Sequence, residues 1–484
     1  MTRSSPIASV AIAGGGIVGW SAAAALKRRL PQLTVTVIPV PPPPDALADR
    51  IVSTLPSIAD FHDDLGLTEA DTVVRARSGY RLGTRFEGWG EREYIHAYGV
   101  CGQTIGTAAF HHHWIRAAKS DGVATFHLHS AAAVMADAGR FVHPHVADPA
   151  TGTFGYGLHI DPTRYRELMR AYARHLGAIE HGAAITNVRL RRDDGFIEAV
   201  EIDGSEVAAD LFVDATGPDA LLRRHLAGER EDWSSWLACD RILFAEARPD
   251  IDDKPLDQVI ATSAGWRWQA RESSGLVYSS RYLPDSKAQE ELSLAGETIR
   301  IRQGRLAESW VRNCVAIGDA AVALEPLEWT NLHLAHSAID RLVAMMPDRD
   351  CSDVELWDYN RQANAEADRV RDFLILHYTA ANRAEPFWNE APELPGSLTH
   401  TLTQFRERGR LPFYEEETFA RDSWLSVLFG QDVIPRRFDP LVDLTTEGES
   451  ERMMAEIRER IAAYVSTLPS HFEYLHDLSL QAAS

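Results

Sequence analysis

Short aliphatic and β-branched runs alternate with helical periodicities over most of the chain, and the last third is helical in pattern. Ser9 to Ala13 is a compact apolar run that ends in Gly14-Gly15-Gly16-Ile17-Val18-Gly19. An alanine-rich stretch follows, then a second β-branched run, LTVTVIPV, a succession that predicts a β-α-β unit. Pro41 to Pro44 interrupt any regular element. Further on, EYIHAYG reads as a strand and FHHHWIRAAK as a helix. DPTRYRELMRAYARHLGA shows helical spacing, with an aspartate in the capping position and a closing glycine. AAITNVRLRR, GFIEAVEID and ADLFVDATG are strand candidates. GWRWQARESSGLVYSSRYL reads as a hairpin with Ser273-Ser274-Gly275 at its centre. From Ser337 onward, segments such as SAIDRLVAMM, THTLTQFRER and ERMMAEIRERIAAYVSTL keep a 3.6-residue period.

The 484 residues suffice to bury a large core, and 45% apolar content is ordinary for a globular chain. A net charge of -21 argues against nucleic acid as a partner, because phosphate binding draws on clustered Lys and Arg. Only Lys27, Lys119, Lys254 and Lys287 could supply a catalytic amine. Cys101, Cys239, Cys314 and Cys351 lie far apart, which fits buried thiols in a reducing compartment rather than a disulfide frame or a zinc site. His111 to His113 point in three directions on a helix, so no metal is expected there. No apolar run reaches the ~18 residues of a membrane span, and the reading is cytoplasmic, with no membrane partner.

Gly14, Gly16 and Gly19 form G-x-G-x-x-G between strand and helix, the context in which the motif binds a dinucleotide. The first glycine permits the tight turn, the second admits a pyrophosphate, and the third packs helix on strand. The acidic residue expected at the end of the second strand, for the ribose hydroxyls, is replaced by Pro39. The fingerprint occurs once, where two tight dinucleotide sites would show two. CVAIGDAA, with Gly318 and Asp319 at a helix start, suits the other half of a flavin fold, and Asp319 reads equally as a helix cap.

Taken in order, GGGIVGW, FHHHWIRAA, GLHIDPTRY, VDATGPDALL, GWRWQA and CVAIGDAAVALEPLEWTNLHLAH resemble the landmarks of the flavin-dependent tryptophan halogenases, over most of the chain. The resemblance implies a Rossmann-like, GR2-type α/β FAD-binding fold with a β-sheet substrate region. It would divide into an FAD-binding domain over 1–340, with the substrate-binding β-sheet region interleaved in it, and a helical C-terminal subdomain over 341–484 that packs over the substrate site. It further implies reduced FAD from a separate reductase, a chloride or bromide ion and a small aromatic substrate. A homodimer is the assembly it allows. In that family reduced FAD and oxygen oxidise halide to a hypohalous species, which travels through a channel to the arene.

Carried over by motif, the cofactor contacts fall on Gly14, Gly16, Gly19, Trp20, Thr54, Val188, Gly318, Asp319, Thr330, Asn331 and Leu332. Glu328 takes the place of the acid/base glutamate, a role that suits a carboxylate in a dry aromatic pocket. Glu325 is expected as a structural partner beside the flavin. His96 and Tyr98 match the substrate-stacking pair, and Trp266 and Trp268, on one face of a strand, the wall between flavin and substrate. The family lysine falls on Arg81, which has no amine lone pair for a haloamine but could orient hypohalous acid or clamp a carboxylate. Trp329 stands in place of serine and Asn331 in place of glycine, where asparagine tolerates a left-handed backbone. IVSTLP keeps only Thr54 and Pro56 of a flavin loop. The leading reading is a halogenase-like oxidoreductase. A flavin monooxygenase and a non-catalytic paralogue are the alternatives.

Overall fold

The computed structural model describes the chain except residues 1–4, 121, 183, 247–253, 272, 293–295, 382, 391 and 484. The chain forms two compact units that interleave along the sequence. The first takes 1–78, 160–240 and 299–368, and the second takes 79–159, 241–298 and 369–484.

The first unit is built on a sheet of β1 (Ser9–Ala13), β2 (Thr34–Ile38), β3 (Ile179–Glu180), β4 (Leu211–Asp214), β5 (Trp310–Val311) and β6 (Cys314–Ala316). Their spatial order is β5-β6-β4-β1-β2-β3, parallel except at the β5–β6 edge. β1 sits between β4 and β2, in register Val10 with Leu211 and Val10 with Val35. It is apolar and almost wholly buried because helices cover a parallel sheet on both faces. Helix α1 (Ile17–Arg29) leaves β1 directly and packs against α2 (Pro162–His175) and α3 (Thr330–Ala344). The expected cap of α2 is present: the Asp161 carboxylate accepts from the Thr163 and Arg164 amides at 2.9 and 3.1 Å. Ligands of such a sheet bind beyond the carboxyl ends of its strands, where β1 and β4 part.

Six strands of a seven-stranded sheet lie wholly in the second unit and run in the order Arg241–Glu246, Ser273–Tyr278, Gly265–Ala270, Leu256–Thr262, Gly83–Glu87 and Tyr94–Ala97. The hairpin expected in GWRWQARESSGLVY is present, with Ala270 opposite Ser273. Its turn is therefore at Arg271, not at Ser273-Ser274-Gly275, which lies within the second strand. The glycine answers a packing demand instead: Gly275 stands opposite Trp268, and a Cβ there would overlap the indole six-membered ring. Helices Gly396–Arg408, Arg421–Gly430, Glu447–Ser466 and His471–Ala483 also belong to this unit, in line with the helical periodicity.

Replacing Gly275 by Ala forces the Trp268 ring off its seat. The expected cost is about 1–3 kcal/mol, as for other overpacked cores, read as a lower urea midpoint together with an altered near-ultraviolet tryptophan dichroism.

Candidate functional site

The first unit builds the nucleotide half. Gly14 has φ of +137°, which an L side chain rarely adopts, and a Cβ on it would overlap the Ala215 carbonyl at the end of β4. A Cβ on Gly19 would overlap the Gly14 carbonyl, so α1 can leave β1 this tightly only with glycine at both places. The Gly14 and Gly15 amides donate to the Ile38 and Val40 carbonyls at 2.9 and 2.7 Å, which ties the turn to the end of β2. Pro39 occupies that end, so no ribose-binding carboxylate stands there. Trp20, the next fingerprint position, is buried with the Arg170 guanidinium of α2 5.8 Å above its ring. Val188 lies in the core with Ala11, Ala13 and Phe212.

The second motif comes to the same place. Gly318, φ +59°, abuts Val18 of α1. Asp319 Oδ2 accepts from the Ala48 amide at 2.8 Å, in the loop that leads to Thr54. Asp319 Oδ1, Thr330 Oγ1 and Asn331 Oδ1 are buried without a hydrogen-bond partner among the described residues. Three orphaned oxygens beside a glycine cradle and a helix N-terminus fit a ribityl-pyrophosphate cofactor such as FAD, which would satisfy them. The Asp319 carboxyl is pushed up to about 7, mainly by burial; the Ala48 amide opposes this and the Asp49 charge adds to it. Asp49 is pushed up to about 6, again by burial, against the pull of the Ile17 amide and of Arg166 on α2.

Glu328 lies at the head of α3 and is buried, as are Thr330, Asn331 and Leu332. Sequence reasoning placed the left-handed position at Asn331. Instead, Glu328 and Trp329 carry it, with φ of +61° and +60°, and Asn331 is helical within the first turn of α3. The Asn331 amide donates to the Leu324 carbonyl at 2.9 Å and so staples the turn. Two consecutive left-handed residues that are not glycine store strain, and such strain concentrates at functional sites. Glu325 is buried beside Gln303. Gln303 clamps it, accepting from its amide at 3.0 Å and donating to its carboxylate at 2.9 Å.

The second unit holds the other residues. Trp266 and Trp268 share a face, with ring centroids 6.1 Å apart, and both are buried; their indole N–H groups donate to the Tyr378 hydroxyl and the Ser273 hydroxyl at 2.9 and 3.2 Å. His96 is ringed by Tyr98, Phe373 and Phe419, with centroids 5.8, 5.8 and 6.1 Å away. Arg81 is wholly buried. Its Nε donates to Asp257 at 2.5 Å, Nη2 to the Thr84 hydroxyl at 2.5 Å, and Nη1 to the Tyr98 hydroxyl. The second Asp257 oxygen meets His159 Nε2 at 2.8 Å. Asp257 and His159 were not singled out from sequence: their link to Arg81 is made by sheet pairing across more than 70 residues, with Asp257 opposite Thr84. Of the four lysines, folding brings Lys254 toward this segment, since the Pro255 carbonyl accepts from the Leu82 amide at 2.8 Å. The histidine triplet has structural partners: His111 meets the Gly409 carbonyl at 3.1 Å and His113 the Ser450 hydroxyl at 2.8 Å.

The Asp319 and Asp49 carboxyls titrate above the ordinary aspartate range in the folded chain, at about 7 and about 6. The stability they contribute is therefore full below about pH 4 and is lost as pH rises through 6 to 7. Asp319→Asn, which carries no charge, is expected to gain on the parent protein by about 2 kcal/mol between pH 5 and pH 8, measured by urea unfolding of the flavin-free chain. Arg81→Met leaves Asp257 charged and buried, and is expected to cost about 3–5 kcal/mol. The double variant Arg81→Met/Asp257→Leu should recover much of that loss in the same assay.

Residues 9–447 match the family model for tryptophan halogenase. The chain is 28% identical to 7-chloro-L-tryptophan 6-halogenase KtzR of Kutzneria sp. (strain 744), over 96% of this chain and 98% of that one. Among solved structures it resembles BrvH, a flavin-dependent halogenase from Brevundimonas sp. BAL3, with a TM-score of 0.91 and 36% identity over 98% and 99% of the two chains. Xcc4156, a flavin-dependent halogenase from Xanthomonas campestris, has the same TM-score with 34% identity over 98% of each chain. No helix among the described residues is long and apolar enough to cross a membrane. With an α/β FAD-binding fold and a match over nearly its whole length, the chain belongs to the tryptophan halogenase family of enzymes.

Proposed function

We propose that the protein is a flavin-dependent halogenase acting on a small indole-type arene, with chloride or bromide as halide and with reduced FAD delivered by a separate reductase. The observation that carries this reading is the buried Glu328 carboxylate on a strained left-handed turn, at the head of the helix that also presents Thr330 and Asn331. Reduced FAD, when bound, would activate oxygen, the oxidant that turns halide into hypohalous acid. Glu328 takes the proton that the arene loses once carbon has bonded to the halogen, a transfer worth roughly 10²–10⁴ in rate for a well-placed base. Thr330 and Asn331 offer polar oxygens to the flavin and halide turn. Trp266 and Trp268 supply an apolar wall that keeps water from the oxidised halogen. His96 and Tyr98 offer an aromatic seat for the substrate. Arg81 acts through Tyr98: its donors already bind Asp257, Thr84 and Tyr98, so it orients the phenol hydroxyl rather than carrying the halogen itself.

A second reading, oxygen transfer to the same arene, is favoured by one observation: an arginine tied into an ion pair at the lysine position offers no amine to store the halogen as a haloamine.

Incubation with FAD, a flavin reductase, NADH, oxygen, bromide and indole separates the two by product mass. Bromoindole is the expected product, and Glu328→Gln should lower its formation about 10²–10⁴-fold with FAD affinity unchanged. Indole carrying one added oxygen and no bromine contradicts the proposal.

A further inference from the structure

The glycine cradle already holds an anion, and the chain itself supplies it. The Asp49 carboxylate accepts from the Ile17 amide, the first of α1, and also draws on the Val18 amide. A Cβ on Gly16 would overlap both Asp49 carboxylate oxygens, so this carboxylate fills the space that the middle glycine keeps open for a pyrophosphate. The loop that carries it is fastened at both ends within the same unit. The Ala48 amide donates to Asp319, and the Ser57 hydroxyl meets His333 Nδ1 of α3 at 2.7 Å. Asp45, Asp49 and Asp319 thereby bring three acids to one place, with Arg166 as a positive charge acting on Asp49.

We infer that Asp49 takes the pyrophosphate's place in the flavin-free chain, so that a dinucleotide binds only by displacing this carboxylate, and Asp49 thereby sets the affinity. The inference rests on the reading that the cradle binds FAD. Physically it is a competition: the helix N-terminus favours one anion, and two cannot share the same amides. The apparent dissociation constant is the intrinsic one divided by the fraction of molecules in which Asp49 has left the cradle. Removing the carboxylate frees the cradle without touching Glu328 or the arene site. Arg166 and the α1 amides remain for the phosphates.

The test is a titration of the full-length, flavin-free protein with FAD, with ADP and with adenosine, followed by flavin or tryptophan fluorescence. Parent, Asp49→Ala and Asp49→Asn proteins are compared, each shown to be folded by circular dichroism. Asp49→Ala should bind FAD and ADP about tenfold more tightly and adenosine, which has no pyrophosphate, no more tightly. Asp49→Asn, close in volume but uncharged, should tighten both by a smaller factor and serves as the second variant if the alanine protein folds poorly. Unchanged or weaker binding of FAD and ADP in both variants overturns the inference and leaves Asp49 as a helix cap. If neither the parent nor either variant binds FAD or ADP at all, the flavin reading itself fails, and the inference with it.

Discussion

The structure of the nucleotide half depends on one electrostatic demand: the N-terminus of α1 presents unpaired amides and the positive end of a helix dipole, and something negative has to meet them. Glycines at 14, 16 and 19 exist to bring that terminus within reach. They shorten the link from β1, let the helix start against the sheet and leave room above Gly16 for the carboxylate of Asp49. In the structure the Asp49 carboxylate meets the Ile17 amide at that terminus. With that contact go the closed course of the loop and the gathering of acids around the cradle, where the Asp49 charge adds to the burial that raises the Asp319 carboxyl.

A second electrostatic cluster occupies the other unit, with a different balance. Arg81, Asp257 and His159 form a buried chain in which both oxygens of the aspartate are engaged. Such a chain stabilises little over an apolar replacement, because desolvation consumes most of the Coulombic gain. What it does provide is orientation: the guanidinium lies 5.0 Å from the Tyr98 ring centroid and holds the phenol hydroxyl. A lysine at this position would present a movable ammonium. The arginine is a fixed fork whose donors meet Asp257, Thr84 and Tyr98.

Local signals were legible in the sequence. The β-α-β unit, the Asp161-capped helix, the tryptophan hairpin and the C-terminal helices followed from periodicity and capping chemistry, which act over a few residues. Family landmarks carried the eye to Gly318, Asp319 and Glu328. The misplaced features were those in which a residue type has more than one use. Gly275 looked like a turn former and is instead the floor beneath Trp268. Asn331 looked like the left-handed residue, while Glu328 and Trp329 take that conformation although neither side chain favours it. Asp49, Asp257 and His159 were invisible because their partners are 32 to 176 positions away and are chosen by sheet order and loop closure.

A pair of crystal structures, flavin-free and soaked with FAD, tests the central claim most directly. The account predicts the Asp49 carboxylate on the Ile17 amide in the first. In the second, the FAD pyrophosphate should lie on that amide, with Asp49 moved away. FAD seated in the fold while Asp49 still caps α1 would contradict it.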